Sequence, residues 1–244
     1  MRLLIALLLL FVLPLLASVA QVRQSRLEHW SQARWDSAGL APAPAEQPDA
    51  LVQVYAARTW GWKGAFAVHS WIAFKRERAS AYERYDVVGW GVGRGASAVR
   101  RNLRPPDGRW AGNEPMLVAE LRGPAATAAI PRLEDAIRRY PFRDRYVTWP
   151  GPNSNTFVAW LVREVPELRA SLPANAVGKD FLPWNQVLAI APSGTGYQLS
   201  LGGLLGLTLA WAEGVELNLL GLVVGIDPHG PALKLPGLGR LGWG

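Results

Sequence analysis

An alternation of apolar with small or polar residues near the end of the chain limits the possible folds more than any other feature. Between Leu199 and Trp211 the odd-numbered positions are leucine or tryptophan with Gly203 as the one gap, and most even-numbered positions are small or polar. Successive side chains of a strand point to opposite faces, so this period of two predicts β-structure. Residues 212–214 are typical of a turn, after which the alternation resumes. We therefore predict a long β-hairpin over residues 197–226, because the glycines disfavour a transmembrane helix.

The predicted hairpin carries one strongly apolar face. An apolar surface of this size is rarely left in water, so another surface must cover it. The sequence leaves two candidates open, the core of the domain itself and the surface of a bilayer.

The N-terminal segment predicts a location outside the cytoplasm. Residues 3–22 contain no charged side chain, and the small residues at 18–20 are typical of a signal-peptide cleavage site. The segment is also about long enough to cross a bilayer, so residues 1–22 are assigned as a signal peptide or membrane anchor. Residues 23–50 are polar and then Pro/Ala-rich, which is typical of a tether, and residues 51–244 are predicted to form a single domain. The expected location is the cell envelope, either anchored in the inner membrane or periplasmic.

The pattern of the folded region predicts both strands and helices. Strands are predicted over residues 51–58, 66–74, 82–90 and 145–149. Helices are predicted over residues 113–122, 124–140 and 155–165, from prolines and glycines at their ends. The fold class that follows is α+β: a small antiparallel sheet with packed helices, extended by the long C-terminal β-hairpin.

The residue types exclude several kinds of chemistry. The chain has no cysteine, which excludes disulfides, thiolate metal sites and a cysteine nucleophile. Three histidines are too few for a His-rich metal site, so neither a metal nor a cofactor is expected. The net charge of +7 is compatible with anionic lipid headgroups. Nucleic acid is not expected as a partner, because the leader directs the chain out of the cytoplasm.

The segment WPGPNSNTFVAWLVREVPEL, residues 149–168, places Ser154 at the start of a predicted helix. As a helix cap, a serine oxygen stabilises the first turn by about 1 kcal/mol. As a nucleophile, the same serine benefits from the unpaired N–H groups of that turn, which stabilise an alkoxide or a nearby oxyanion. The sequence alone leaves both roles open.

A base and its orienting group are available on the predicted strands. His69 lies mid-strand among apolar neighbours, where it is either a satisfied core residue or the base that Ser154 needs. Asp86, on the neighbouring predicted strand, is either the acid that orients His69 or a solvated strand residue.

Three further residues are candidates for contact with a substrate. Asn153 and Asn155 flank Ser154 and could donate amide hydrogen bonds to an oxyanion, although asparagine is also common in turns. Trp71 shares the predicted strand face of His69 and is assigned as a substrate-binding residue.

A strand-borne histidine followed by a helix that begins NSNTFV, residues 153–158, resembles the circularly permuted papain-like families. These include the lecithin:retinol acyltransferase-like enzymes, which carry cysteine at the position of Ser154. The resemblance implies a permuted papain-like core that is either an acyl-transferring enzyme or an inactive relative of one.

A second resemblance covers residues 50 to about 240. The segments TWGWKGAFAVHSWIAFK, GPNSNTFVAWLVREVPEL and GTGYQLSLGGLLGLTLAWAEGVELNLLGLVVGIDP resemble the bacterial family called domain of unknown function 3750. This resemblance implies an envelope protein and no particular activity. Two functions remain: a serine-dependent hydrolase or acyltransferase with a lipid or peptide substrate, and a non-catalytic envelope module that binds lipid or a protein partner. In both, the N-terminal segment makes the membrane a partner.

Overall fold

The computed structural model describes residues 2–24, 30–228 and 230–242. In these residues it contains three α-helices and two antiparallel sheets. The helices are α1 (Arg2–Gln24), α2 (Gly123–Arg139) and α3 (Ser154–Glu164). The strands of the first sheet are β1 (Leu51–Arg58), β2 (Val68–Lys75), β3 (Glu83–Val87), β4 (Val99–Arg101) and β5 (Met116–Arg122). Those of the second are β6 (Leu188–Ile190), β7 (Gly196–Leu201), β8 (Leu205–Ala210), β9 (Gly214–Leu219), β10 (Leu222–Asp227), β11 (Ala232–Leu235) and β12 (Gly239–Gly242). The predicted α+β class is confirmed.

The first sheet, in the order β4-β3-β2-β1-β5, has a different core on each face. Helices α2 and α3 cover one face, where Ile72 of β2 packs with Leu133 and Phe157 of the helices. On the other face, Tyr55, Trp71 and Trp110 form a smaller aromatic cluster. Because successive residues of β2 alternate between these faces, neighbouring positions on this strand belong to different cores.

The second sheet, in the order β12-β11-β10-β9-β8-β7-β6, has an unusual distribution of polarity. Its buried face is polar: Lys179, from the loop after α3, pairs with Asp180 and with Glu216 of β9, and Glu216 also pairs with Lys234 of β11. The opposite face carries exposed leucines such as Leu207. The Lys179–Glu216 ion pair thus joins the buried face of the second sheet to the loop after α3.

The predicted hairpin proves to be part of a longer meander. Residues 202–204 form a turn that divides the predicted first strand into β7 and β8, because Gly202 and Gly203 adopt positive φ angles of 59° and 77°. The strands β7, β8 and β9 are successive antiparallel neighbours, so the leucines of all three strands lie on one face of the sheet. A residue pair such as Leu207 and Leu217 lies directly opposite on adjacent strands of one face.

Two predicted elements are wrong. Residues 113–122, predicted as a helix, contain β5, because backbone pairing with β1 outweighs their helix propensity. Residues 145–149, predicted as a strand, form no ladder, because the Val147 amide donates to Pro152 O in a local loop. That loop contains two cis peptide bonds, Trp149–Pro150 and Gly151–Pro152.

The N-terminal helix α1 contacts the domain. Ser18, which is fully buried, donates to Ala65 O at 2.7 Å. Leu13 and Leu16 of α1 are exposed. In the part of the chain that the structure describes, no helix combines the length and hydropathy that a membrane span requires.

Candidate functional site

A cavity of about 820 Å³ lies beyond the end of the first sheet, and both His69 and Ser154 line it. His69 comes from the start of β2, and Ser154 is the first residue of α3. Most of the remaining wall is aromatic or aliphatic: Trp60, Trp62, Phe66, Trp90, Trp110, Tyr146, Trp149, Val177, Leu220 and Leu222. Lys63 supplies a cationic side chain at the wall. The sequence therefore brings its two candidate reacting residues to one apolar cavity.

His69 is oriented by a buried carboxylate. Its Nε2 lies 3.0 Å from Asp86 Oδ1, and both side chains are almost completely buried. The same carboxylate receives two hydrogen bonds of 2.8 Å from the Arg84 guanidinium. Asp86 is thus the centre of a hydrogen-bond network in which Arg84 and His69 both donate to its carboxylate.

Burial and hydrogen bonding determine the charges of Asp86 and His69 in this network. Burial by itself raises the pKa of Asp86, but the charge of Arg84 and the hydrogen bonds from His69 and Arg84 outweigh it and lower the pKa to about 2. For His69, burial lowers the pKa below 6.5 despite the hydrogen bond to Asp86. Asp86 is therefore ionised and His69 neutral at pH 7, so Nε2 carries the proton that Asp86 accepts. The other ring nitrogen, Nδ1, then has a free lone pair.

Aromatic rings fix the plane of the imidazole. The His69 ring stacks on Trp110 with a centroid distance of 3.5 Å. Trp71 lies 5.9 Å away in a stacked orientation, but it is fully buried and donates its indole N–H to Pro106 O. The structure thus places Trp71 beside His69 and not in the cavity wall, so its assignment as a substrate-binding residue stays a prediction with no contact to support it.

The N-cap of α3 is Asn153 and not Ser154. The Asn153 Oδ1 atom accepts from the amides of Asn155 and Thr156, and Thr156 Oγ1 accepts from the Asn153 amide in return. This capping box satisfies the first turn without any contribution from Ser154. The cap interpretation of Ser154 is thus wrong, and its hydroxyl is available for another role.

Asn153 and Asn155 line the cavity, but their side-chain amide protons hold the loop. Both amide protons of Asn153 Nδ2 are used, by Thr148 O and Val177 O. Those of Asn155 are likewise used by Val68 O and Val177 O. The expected role of these amides as oxyanion donors is therefore not supported by the contacts they make.

The backbone amide of Ser154 is a better candidate for that role. It is the first N–H of α3, and it donates no hydrogen bond among the described residues. An N–H of this kind combines an unsatisfied donor with the positive end of the helix dipole. It lies beside the Ser154 hydroxyl, where an oxyanion forms if that hydroxyl attacks a carbonyl.

Ser154 and His69 do not hydrogen-bond to each other among the contacts of the described residues. The reason lies in the alternation of β2. Ser70 contacts α3 through a 2.8 Å hydrogen bond to Asn155, so His69, one residue earlier, projects to the opposite face with Trp110. The two candidate reacting groups reach the cavity from opposite faces of the sheet.

Arg84 and Trp110 contribute to the site and were missed by sequence reasoning. A signal for Arg84 is present, because Arg84 and Asp86 are two residues apart on one strand and must share a face. No comparable signal exists for Trp110, which comes from an irregular loop. Within the described ranges, no group of three or more acidic or histidine side chains is placed to hold a metal.

The fold and the cavity define an α+β protein in which a serine at a helix start shares an aromatic cavity with a carboxylate-oriented histidine. The chain belongs to the family described as "Protein of unknown function (DUF3750)", whose model matches residues 49–181, more than half of the chain. The matched region includes His69, Asp86 and Ser154 and ends before the second sheet. No curated protein and no solved structure matches the chain.

Proposed function

We propose that this protein is a serine-dependent acyl hydrolase or acyltransferase of the cell envelope, with Ser154 as the nucleophile and His69 as the base. The observation that carries the proposal is the cavity that Ser154 shares with a histidine whose Nε2 is held by Asp86. A neutral imidazole oriented in this way presents Nδ1 as a proton acceptor. Asp86 orients His69 and does not itself exchange a proton.

In the proposed reaction the Ser154 hydroxyl and His69 Nδ1, which make no hydrogen bond to each other without a substrate, meet in the cavity when the substrate binds. The Ser154 hydroxyl transfers its proton to His69 Nδ1 as its oxygen bonds to the acyl carbon of an ester or amide. The carbonyl oxygen gains the negative charge, and the Ser154 N–H donates to it. The leaving group takes the proton from His69 as its bond to the acyl carbon breaks. Water, or an acceptor alcohol or amine, then releases the acyl group from Ser154 by the reverse sequence.

Arg84 moderates the strength of this base. In a simple Ser/His/Asp site, the carboxylate stabilises the imidazolium that forms during reaction. Here the carboxylate of Asp86 is already paired with Arg84, and the Arg84 charge itself disfavours protonation of His69. The site therefore suits activated acyl groups such as esters better than ordinary amides.

The cavity wall indicates the class of substrate. Its rings and aliphatic side chains favour an apolar acyl group, and exposed Lys63 can pair with an anionic group at the edge. A lipid or a lipid-modified peptide meets both conditions. Neither needs a cofactor or metal for acyl transfer to serine.

Labelling with a fluorophosphonate probe tests the proposal, because such a probe reacts with activated serines. The full-length protein is expected to be labelled, and Ser154→Ala is expected to abolish the labelling. Ser80→Ala, which removes an exposed serine of the β2–β3 link, is the matched control and is expected to label normally. Labelling that persists in Ser154→Ala, or its absence from the folded wild-type protein, contradicts the proposal.

A second candidate function is a non-catalytic envelope module that binds a lipid or a protein partner in the same cavity. The missing hydrogen bond between Ser154 and His69 favours it. However, hydrogen bonds of catalytic groups are often long before a substrate is bound. The two functions differ in the probe experiment, because a binding module is not labelled at Ser154.

A further inference from the structure

The outer face of the second sheet is apolar throughout its first four strands. Every exposed side chain of β6–β9 is aliphatic or aromatic: Leu188, Ile190, Tyr197, Leu199, Leu201, Leu205, Leu207, Leu209, Val215, Leu217 and Leu219. We call this surface the leucine face. We propose that the leucine face docks on the surface of a lipid bilayer.

The polarity of the sheet is the reverse of that expected in water. An antiparallel sheet with one solvated face normally presents polar side chains to solvent and apolar ones to the core. Here the alternate positions Gln198, Thr208, Glu216 and Asn218 are buried against the domain. Because the polar residues of β6–β9 lie on the buried face, the Tyr197 hydroxyl is the one polar side-chain group on their exposed face. An apolar surrounding on that side explains the pattern.

The composition of the leucine face fits lipid better than protein. Protein interfaces combine an apolar centre with arginine, hydrogen-bonding side chains and a polar rim. No exposed charged side chain occurs on β6–β9. Aromatic residues lie at the ends of the strands: Tyr197 and exposed Trp211 at one end of the β7–β8 pair, and exposed Trp184 against Gly202 at the other. Tryptophan and tyrosine at the limits of an aliphatic zone are typical of contact with a bilayer interface.

Two further observations favour a bilayer. Helix α1 contacts β10 and β11, and its Leu13 and Leu16 are further exposed apolar side chains. The chain also has a net charge of +7, which complements anionic lipid headgroups. The docking is that of a surface-bound protein, in which the leucine face enters the interface without crossing it.

Docking of this face also brings the cavity to the membrane. Leu220, in the turn that joins β9 to β10, and Leu222, the first residue of β10, both line the cavity, and this turn follows the end of the leucine face at Leu219. Trp149 holds this turn through a 2.9 Å hydrogen bond to Leu220 O. The inference does not depend on catalysis, since it applies equally to a module that only binds.

Site-specific labelling can test the contact directly, because the chain has no cysteine of its own. A Leu207→Cys variant of the full-length protein carries an environment-sensitive fluorophore at the centre of the leucine face. The matched control is Ala128→Cys, at an exposed position on α2. Both proteins contain α1, so binding through that helix is the same in both. Vesicles of phosphatidylethanolamine and phosphatidylglycerol, with and without brominated acyl chains, provide the membrane.

The proposal expects a blue shift and loss of emission with brominated lipid for the label on L207C and no loss for the label on A128C. A Leu217→Cys variant, directly opposite on β9, repeats the measurement where the first variant fails to fold. If the protein floats with vesicles while neither label on the leucine face is quenched, α1 alone binds the membrane and the proposal is wrong. It is also wrong if the label is shielded in a dimer or by a protein partner and remains unquenched by lipid.

Discussion

His69 donates a 3.0 Å hydrogen bond to Asp86 from inside the protein, and the same carboxylate is held by Arg84. A carboxylate with two donors of this kind can orient an imidazole without needing solvent. The arrangement leaves the other ring nitrogen of His69, Nδ1, without a hydrogen bond among the described residues. This single contact joins the aromatic side of the first sheet to the chemistry of the candidate site.

Asp86→Asn is expected to destabilise the protein by about 3–5 kcal/mol, because the substitution leaves a buried guanidinium without its counter-ion. Urea denaturation followed by tryptophan fluorescence measures the change. Asp144→Asn, at an exposed position, is the control and is expected to change stability by less than about 0.5 kcal/mol. Equal small effects in both variants indicate that the buried network contributes little.

Asn153→Ala and Ser154→Ala are expected to differ strongly in stability although they are adjacent. The first removes the capping box and two hydrogen bonds to the loops, at a cost of about 2 kcal/mol or more. The second removes a hydroxyl that the cap does not use, at a cost below about 0.5 kcal/mol. The midpoint of thermal unfolding compares them. A larger loss for Ser154→Ala indicates that the hydroxyl has a structural partner.

The pH dependence of labelling follows from the lowered pKa of His69. The neutral imidazole is the reactive form, so the labelling rate is expected to be constant above pH 6.5 and to fall only in more acidic solution. The free energy of unfolding is expected to change in the same direction. His69 binds a proton more readily in the unfolded chain, so the folded protein loses stability as the pH falls from 6.5 toward the lowered pKa of His69 in the folded state. Titration of the His69 ring protons by NMR, with His69→Gln used for assignment, measures the pKa. A midpoint above 6.5 contradicts the burial argument.

The buried Lys179–Glu216 ion pair is expected to contribute strongly to the attachment of the second sheet. Lys179→Met leaves Glu216 and Asp180 without a shared cation, at a cost of about 3–5 kcal/mol. Lys63→Met, at an exposed position, is the control for stability.

Burial raises the pKa of Glu216, but the charges of Lys179 and Lys234 outweigh it and lower the pKa below 4.5. The contribution of Glu216 is therefore present above pH 4.5 and lost as the pH falls through the lowered value, which acid unfolding of both variants would measure.

Much of the fold could be predicted from local pattern. The strands around His69 and Asp86 and helix α2 follow from alternation and end signals, and α3 lies within a residue of its prediction. Residues 113–122 could not be assigned, because their conformation is decided by backbone pairing with β1, a contact distant in sequence. The turn that divides the C-terminal hairpin depends instead on local backbone conformation. The alternating pattern shows a single gap at Gly203 and does not reveal that Gly202 and Gly203 both adopt positive φ angles.

The candidate site was only partly predictable. His69, Asp86 and Ser154 could be selected by residue type and position, and the structure brings His69 and Asp86 into contact and Ser154 to the same cavity. The roles of Asn153 and Trp71 depend on which hydrogen bonds they make. Those partners, Val177 O and Pro106 O, come from irregular loops whose course has no periodic signal. The proposed catalytic roles stay predictions until the probe experiment.

The capping of α3 by Asn153 has a consequence for how this site could evolve. Because Asn153 and not Ser154 caps the helix, position 154 can change at little cost to the folding of α3. Serine, cysteine or alanine are interchangeable there as far as the helix is concerned. Under the proposed function, a family built on this arrangement can gain, exchange or lose its nucleophile by a single substitution, so active and silent members can share one scaffold.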